Sequence, residues 1–422
     1  MTETATLNFD DQSSNAQGDF YVDYERALSA SGVLSALQLA GPKGSAPDMA
    51  AAESLALAMY DVIHDIAPDH ARFAIMSSGG KDSSACVHYY VESVLARVAA
   101  GKRFVPGVII MGYTRHEFSA VAERQRNELA ALNKWGAPYG ISAEIVQPRA
   151  KDTTLVELIG NGMALPAKAK NDKVVQASIS NWCVDRVKRY ILDAAVERAA
   201  SLAPLVIQVL GTRFGESPTR DTSVLEHSAG LPEGLTRMAD GGNTRFVGFM
   251  PILRFSNKLI RDFVHDRFPS YRSDGNLELE QIYREASPPH SKGGEEATEC
   301  AIERTADGGF GGGCSGLASS TRLGCFVCLK STNKALFYLA LREGRLLAAE
   351  VAFAAAAGAM GADMPGPWDA HGDVFERSVF CGPKGGPRQE AFFEVEFAPD
   401  QKSVVRTGLT NGGLSVRRGV AG

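Results

Sequence analysis

No stretch of the 422 residues approaches the roughly 18 consecutive apolar residues that a membrane-spanning helix needs, so no membrane partner is expected. The opening Met1-Thr-Glu-Thr-Ala-Thr-Leu-Asn-Phe-Asp-Asp lacks both the basic and the apolar region of a secretory signal. Residues 1–20 read as a disordered polar tail, and the chain as cytoplasmic. Positive charge is in short supply: a formal net charge of -5 excludes a global pull on nucleic acid. Contact with DNA or RNA would need a local basic patch or a partner subunit. Cysteine is scarce too. Seven thiols, unevenly spaced, exclude a disulfide scaffold and in a reducing compartment suit metal ligands or reactive groups. Internal repeats and the Walker A spacing are also missing.

What is present is an ordinary globular balance, 45% hydrophobic and 22% charged. Helical spacing runs over 50–67, followed by a short apolar strand from Arg72 and a helical pattern over 83–100. Residues 103–111 read as the next strand, 117–135 as helix and 142–147 as strand. Residues 184–200 read as helix and 204–211 as strand. Residues 212–245 look loop-rich, with an apolar run over 246–253 and a helix near 258–268. This alternation predicts an α/β fold with a parallel twisted sheet and helices on both faces. It suggests one α/β domain over 21–270. Residues 271–345 form a Cys-rich region whose glycine-rich part is too poor in apolar groups to fold by burial alone. Residues 346–422 hold a helical stretch to 360, possible short strands and no recognisable chemistry.

The most informative string is Ser78-Gly79-Gly80-Lys81-Asp82-Ser83, where a strand ends and a helix begins. Backbone N–H groups in such a turn, backed by the helix dipole, make a nest for phosphate oxygens. Gly79 and Gly80 permit close approach, Ser78 and Ser83 supply hydroxyls, and Lys81 supplies a cation. Asp82 can cap N–H groups or help hold Mg2+. The bland alternative is a turn that merely favours small residues.

Three further motifs follow. Cys183, in Trp182-Cys183-Val184-Asp185-Arg186-Val187-Lys188, falls at a helix start, where the dipole and nearby cations lower a thiol pKa. The competing reading is a buried structural cysteine. Gly211-Thr212-Arg213-Phe214-Gly215-Glu216-Ser217-Pro218-Thr219-Arg220 follows a strand end, where ligands of open α/β sheets collect. Arg213 and Arg220 could grip phosphates with Glu216 orienting one of them, or all three could be an ion-paired surface loop. Cys300, Cys314, Cys325 and Cys328 supply four thiolates for a [4Fe–4S] cluster or structural zinc, and spacing alone does not separate the two.

The six-residue string resembles the PP-loop of N-type ATP pyrophosphatases and phosphoadenosine-phosphosulfate (PAPS) reductases. Relatives carry Asp-Thr-x-x-Glu after the next strand; here Thr114 and Glu117 fit, with Tyr113 in place of the Asp. Further in, the Arg213–Arg220 segment is similar to that of family members and Pro251–Ser256 to a segment of PAPS-reductase relatives, while 158–166, the Trp182–Lys188 segment and the Cys314–Cys328 text resemble a DndC-like branch. That branch comprises the sulfurtransferase subunits of DNA phosphorothioation systems. The resemblance implies an adenine nucleotide alpha hydrolase-like fold and ATP cleavage to AMP and pyrophosphate with Mg2+. It implies Lys81, Asp82 and Cys183 as catalytic groups. ATP would be held by Ser78–Ser83, Thr114, Glu117, Arg213, Glu216 and Arg220, with a [4Fe–4S] cluster on the four clustered cysteines. Partners would be other phosphorothioation subunits, a cysteine desulfurase, and DNA presented through the complex. Alternatives are a PAPS-reductase-like oxidoreductase, a tRNA thiolase, or a non-catalytic nucleotide-binding subunit with a zinc-stapled arm. The reductases' Glu-Cys-Gly-x-His string is missing.

Overall fold

The computed structural model describes residues 10–37, 39, 41–115, 117, 119–149, 152–153, 184–201, 203–215, 218–238, 245–267, 269–272, 278–279 and 281–282, together with three strands between 393 and 417. Two compact units share the chain. One comprises residues 1–112, 124–146 and 192–280; the other gathers 113–123, 147–191 and 281–422.

The first unit holds a six-stranded sheet. Its strands are β1 (Arg72–Ser77), β2 (Gly107–Gly112), β3 (Ser142–Val146), β4 (Val206–Val209), β5 (Leu235–Thr236) and β6 (Phe246–Phe249), in spatial order β3-β2-β1-β4-β6-β5. All neighbours pair in parallel except the two-residue β5, which runs antiparallel to β6. The helices are α1 (Asp10–Ala30), α2 (Val33–Ala36), α3 (Met49–Ile66), α4 (Lys81–Ala99), α5 (Ser119–Gly136), α6 (Tyr190–Ala200), α7 (Pro218–Ser228) and α8 (Asn257–Asp266). Two of the helix starts carry a side-chain cap. Asp48 accepts from the Ala51 N–H ahead of α3, and Ser256 accepts from the Leu259 N–H ahead of α8.

Helices cover both faces, and two glycines of β2 prove it. A Cβ on Gly107 would meet the Tyr90 hydroxyl of α4 at 2.8 Å, and one on Gly112 would meet Leu192 of α6 at 3.3 Å. These positions differ by five residues, and side chains alternate along a strand, so α4 and α6 lie on opposite faces. The expected α/β architecture is therefore present. Tyr60, Phe73, Tyr90 and Phe249 form its aromatic centre, with ring centroids 5.0–6.4 Å apart. Losing one such buried ring costs about 3–5 kcal/mol.

Four local expectations need correction. Residues 10–20 are not a loose tail but the first half of α1, which buries Phe20, Tyr24 and Leu28 at a four-residue spacing. The apolar run at 103–111 becomes strand only from Gly107, because Pro106 has no N–H to give a ladder. The span 212–245 contains α7 and β5. Residues 184–200 are not one α-helix: Val184–Arg189 is π-helical and α6 follows.

In the second unit, β7 (Phe393–Phe397), β8 (Val404–Leu409) and β9 (Leu414–Arg417) form a sheet of order β8-β7-β9. β7 pairs antiparallel with β8 and parallel with β9. Short strands were expected here.

Candidate phosphate-binding site

The strand order places the site. From β1 the chain steps outward to β2 and β3, then returns to place β4 on the other side of β1. The reversal opens a crevice at the C-terminal ends of β1 and β4, where open α/β sheets take ligands. The Ser78–Ser83 turn leaves β1 at that end, and Gly211–Arg213 leaves β4 there.

The turn is tied together by its serines. Ser83 Oγ accepts the Ser78 N–H at 3.1 Å, lies 3.2 Å from Ser78 Oγ, and donates to the Gly80 carbonyl at 3.0 Å. Gly79 has φ +74°, a conformation open to glycine and strained for other residues. Gly80 caps the 19-residue α4 without any side-chain cap bond, and the first helical bond to it comes from the Ser84 N–H. Glycine at the cap position offers this first turn no side-chain oxygen of the kind that helix starts usually have.

Charge converges on the same turn from β4. Arg213, 1% exposed, donates Nε to Asp82 Oδ1 at 2.6 Å, and Lys81 Nζ lies 3.5 Å from Asp82 Oδ2. Arg213 Nη1 is buried without a hydrogen-bond partner among the described residues. A buried guanidinium nitrogen left that way is costly, and an anion in the crevice would satisfy it. The approach of the two segments is tight. A Cβ on Gly211 would stand 3.2 Å from the Ser83 nitrogen and 3.3 Å from the Asp82 carbonyl carbon.

The structure thus brings together Ser78, Gly79, Gly80, Lys81, Asp82, Ser83 and Arg213. Arg220 is exposed in the first turn of α7. Thr114 and Glu117 belong to the second unit. There the Glu117 carboxylate accepts the Thr114 N–H at 2.8 and 2.9 Å and the Thr114 hydroxyl at 2.7 Å, holding a turn with Arg115 at φ +70°. Cys183, Glu216, Cys300, Cys314, Cys325 and Cys328 lie outside the described residues. The Pro251–Ser256 segment is structural. Arg254 grips Glu233 at 2.7 and 2.8 Å, and Ser256 caps α8.

No family model matches the chain, and no curated protein matches it. Among solved structures it overlaps Candida glabrata FMN adenylyltransferase bound to FMN and an ATP analogue, at 13% identity and TM-score 0.30, over 65% of this chain and 72% of that one. It also overlaps NAD+ synthetase from Burkholderia pseudomallei, at 15% identity and TM-score 0.31, over 66% of this chain and 82% of that one. These overlaps are loose, and the fold assignment rests on the strand order itself.

Sequence reasoning missed two neighbours of the loop. Arg124 and Gln125 of α5 are each 1% exposed and bond to its backbone. Linear spacing offers no signal for them, because α5 carries many polar residues and these two differ only in facing inward. A cavity of 390 Å³ lined by His70, Arg72, Arg103 and Phe104 lies at the N-terminal ends of β1 and β2. That is the far end of β1 from the serine turn, so it takes no part in this site.

Proposed function

We propose that this chain binds ATP by its phosphates at Ser78–Ser83 and cleaves it between the α- and β-phosphates. The observation that carries the reading is Arg213 Nη1, buried and without a hydrogen-bond partner among the described residues, beside a start of α4 that has no side-chain cap. Two cations and a glycine turn suit a polyphosphate better than a neutral ligand. For Mg2+, Asp82 is the carboxylate of this turn; it fits as one ligand, with phosphate oxygens and water completing the shell.

The finer reading is a sulfurtransferase subunit of a DndC-like phosphorothioation system. A non-bridging oxygen of DNA phosphate would attack the α-phosphorus of ATP, the α–β bridge would break, and pyrophosphate would leave. Sulfur carried as a persulfide on Cys183 would then attack the activated DNA phosphorus and expel AMP. A second thiol would break the S–S bond, closing the electron balance as a disulfide. Within this scheme Lys81 and Arg213 hold the pyrophosphate while it departs. Cys300, Cys314, Cys325 and Cys328 would hold the [4Fe–4S] cluster, with other subunits presenting the DNA. Support for this finer level is the sequence resemblance alone.

The test has two stages. Pyrophosphate release from ATP is measured in wild type and Lys81→Ala, with the whole set of partner subunits supplied. Steady release lost in the variant supports cleavage; equal rates overturn it and favour a nucleotide-binding subunit without turnover. Mass spectrometry of DNA and tRNA from cells with and without the gene then separates the substrates. Gene-dependent sulfur in tRNA alone would sink the DNA reading.

A further inference from the structure

Two consecutive residues of α5 hold two consecutive carbonyls of the loop. Gln125 Nε2 donates to the Ser78 carbonyl at 3.2 Å, and also to the Gly112 carbonyl at 3.2 Å. Arg124 Nε donates to the Gly79 carbonyl at 3.2 Å, while its Nη2 donates to Ser84 Oγ at 3.0 Å inside the first turn of α4. In a trans peptide the C=O of one residue and the N–H of the next point in opposite directions. Fixing the Ser78 carbonyl toward Gln125 therefore turns the Gly79 N–H away from α5. Fixing the Gly79 carbonyl toward Arg124 does the same for the Gly80 N–H.

Among the described residues those two N–H groups make only long bonds. The Gly79 N–H reaches Ser77 Oγ at 3.3 Å and the Gly80 N–H reaches Ser78 Oγ at 3.4 Å. Both are longer than the usual 2.7–3.2 Å of an N–H···O bond. A charged oxygen would form shorter and stronger bonds with either group.

Arg124 and Gln125 are themselves held from behind. Arg124 Nη2 lies 3.6 Å from Glu128 Oε2, one helical turn along α5, and Glu128 Oε1 accepts from the Tyr271 hydroxyl at 3.1 Å. Glu278, whose Oε2 lies 3.9 Å from Arg124 Nη1, also takes Arg272 Nη2 at 2.7 Å and Asn127 Nδ2 at 3.1 Å. Gln125 also lies close under the turn, since a Cβ added at Gly79 would stand 3.2 Å from its Cγ.

We infer that Arg124 and Gln125 are the positioning residues of the phosphate loop. By holding the Gly79 and Ser78 carbonyls on the α5 side they keep the Gly80 and Gly79 N–H groups turned out for the oxygens of a pyrophosphate moiety. The inference rests on the reading of Ser78–Ser83 as a phosphate site and assigns the part of the chain that sets its donors. The ligand class is an inorganic or nucleoside polyphosphate, recognised through the backbone.

Inorganic pyrophosphate is titrated into the full-length chain by calorimetry, and the amide signals of Gly79 and Gly80 are followed by NMR. Gln125→Met keeps the length and removes the donor; Arg124→Lys keeps the charge and removes the planar fork. The expected result is a shift of both glycine amides in wild type and about tenfold weaker binding in each variant. Arg124→Lys loses buried bonds to Gly79 and Ser84 and should melt below wild type, so Gln125→Met carries the test where Arg124→Lys folds poorly, and the reverse. No binding by wild type would remove the phosphate-site reading, and this inference with it. Binding by wild type with unmoved glycine amides, or equal affinity in folded variants, would overturn the positioning role and leave the site standing.

Discussion

Arg213 and Asp82 meet at 2.6 Å across 131 residues of sequence, joining the loop after β4 to the first turn of α4. The arginine is buried and Asp82 is its one charged partner among the described residues, so the pair is sensitive to losing either member.

Asp82→Ala should therefore cost more than a surface ion pair would. Stranding a buried guanidinium costs about 3 kcal/mol, with some relief because the Asp82 side chain is 19% exposed. The urea unfolding midpoint should fall by the corresponding amount. A midpoint unchanged from wild type would mean that the pair adds nothing to stability.

Gly211→Ala should disturb the loop without touching any charge. Its new methyl would press on the backbone of Asp82 and Ser83 at 3.2–3.3 Å, atoms that cannot swing aside as a side chain can. Overpacking of this kind costs about 1–3 kcal/mol. ATP affinity should fall by about tenfold as the start of α4 shifts, read by equilibrium titration. A variant binding ATP as wild type does would show that α4 tolerates the shift.

A buried histidine supplies the pH dependence. His64 accepts the Val105 N–H on Nδ1 at 3.0 Å and lies 3.1 Å from Ser93 Oγ through Nε2, so the folded chain holds it neutral. Burial pushes its pKa from 6.5 down to about 3, and the nearby Arg97 cation adds to the shift. Below pH 6.5 the unfolded chain takes up a proton that the folded chain refuses, so stability falls as pH drops toward 3 and is fully present above 6.5. The span is on the order of 5 kcal/mol. His64→Gln should flatten the slope of unfolding free energy against pH between 4 and 6.5; an unchanged slope would place the dependence elsewhere.

The four clustered cysteines make a compositional prediction. Protein purified without oxygen should carry about four irons and four sulfides per chain and absorb broadly near ~400 nm. One zinc with no sulfide would assign the cysteines a structural role. Chelation of the metal should then leave the serine-turn site able to bind ATP.

The strand-and-helix alternation was legible because the central strands are buried and nearly continuous in apolar residues, as Phe73–Ile75 and Ile109–Met111 show. The glycine turn was legible because its chemistry is contiguous. Arg213 was found as a member of a motif, but its bond to Asp82 was not, since nothing in linear spacing marks a contact over such a distance. Arg124 and Gln125 escaped for another reason: on a helix full of polar residues, two that face inward look like their solvated neighbours. α1 was lost because its apolar stripe is sparse, one large residue per turn at Phe20, Tyr24 and Leu28.

The crevice at the reversal of strand order also dictates when in folding the site can exist. A nascent chain that has reached β3 already contains every residue of the serine turn, yet β4 and Arg213 are still missing. Closing a loop of that length is slow compared with forming a local hairpin or helix. Polyphosphate that binds the completed crevice would then favour the closed sheet by mass action, so the nucleotide would act as a late fastener of the domain.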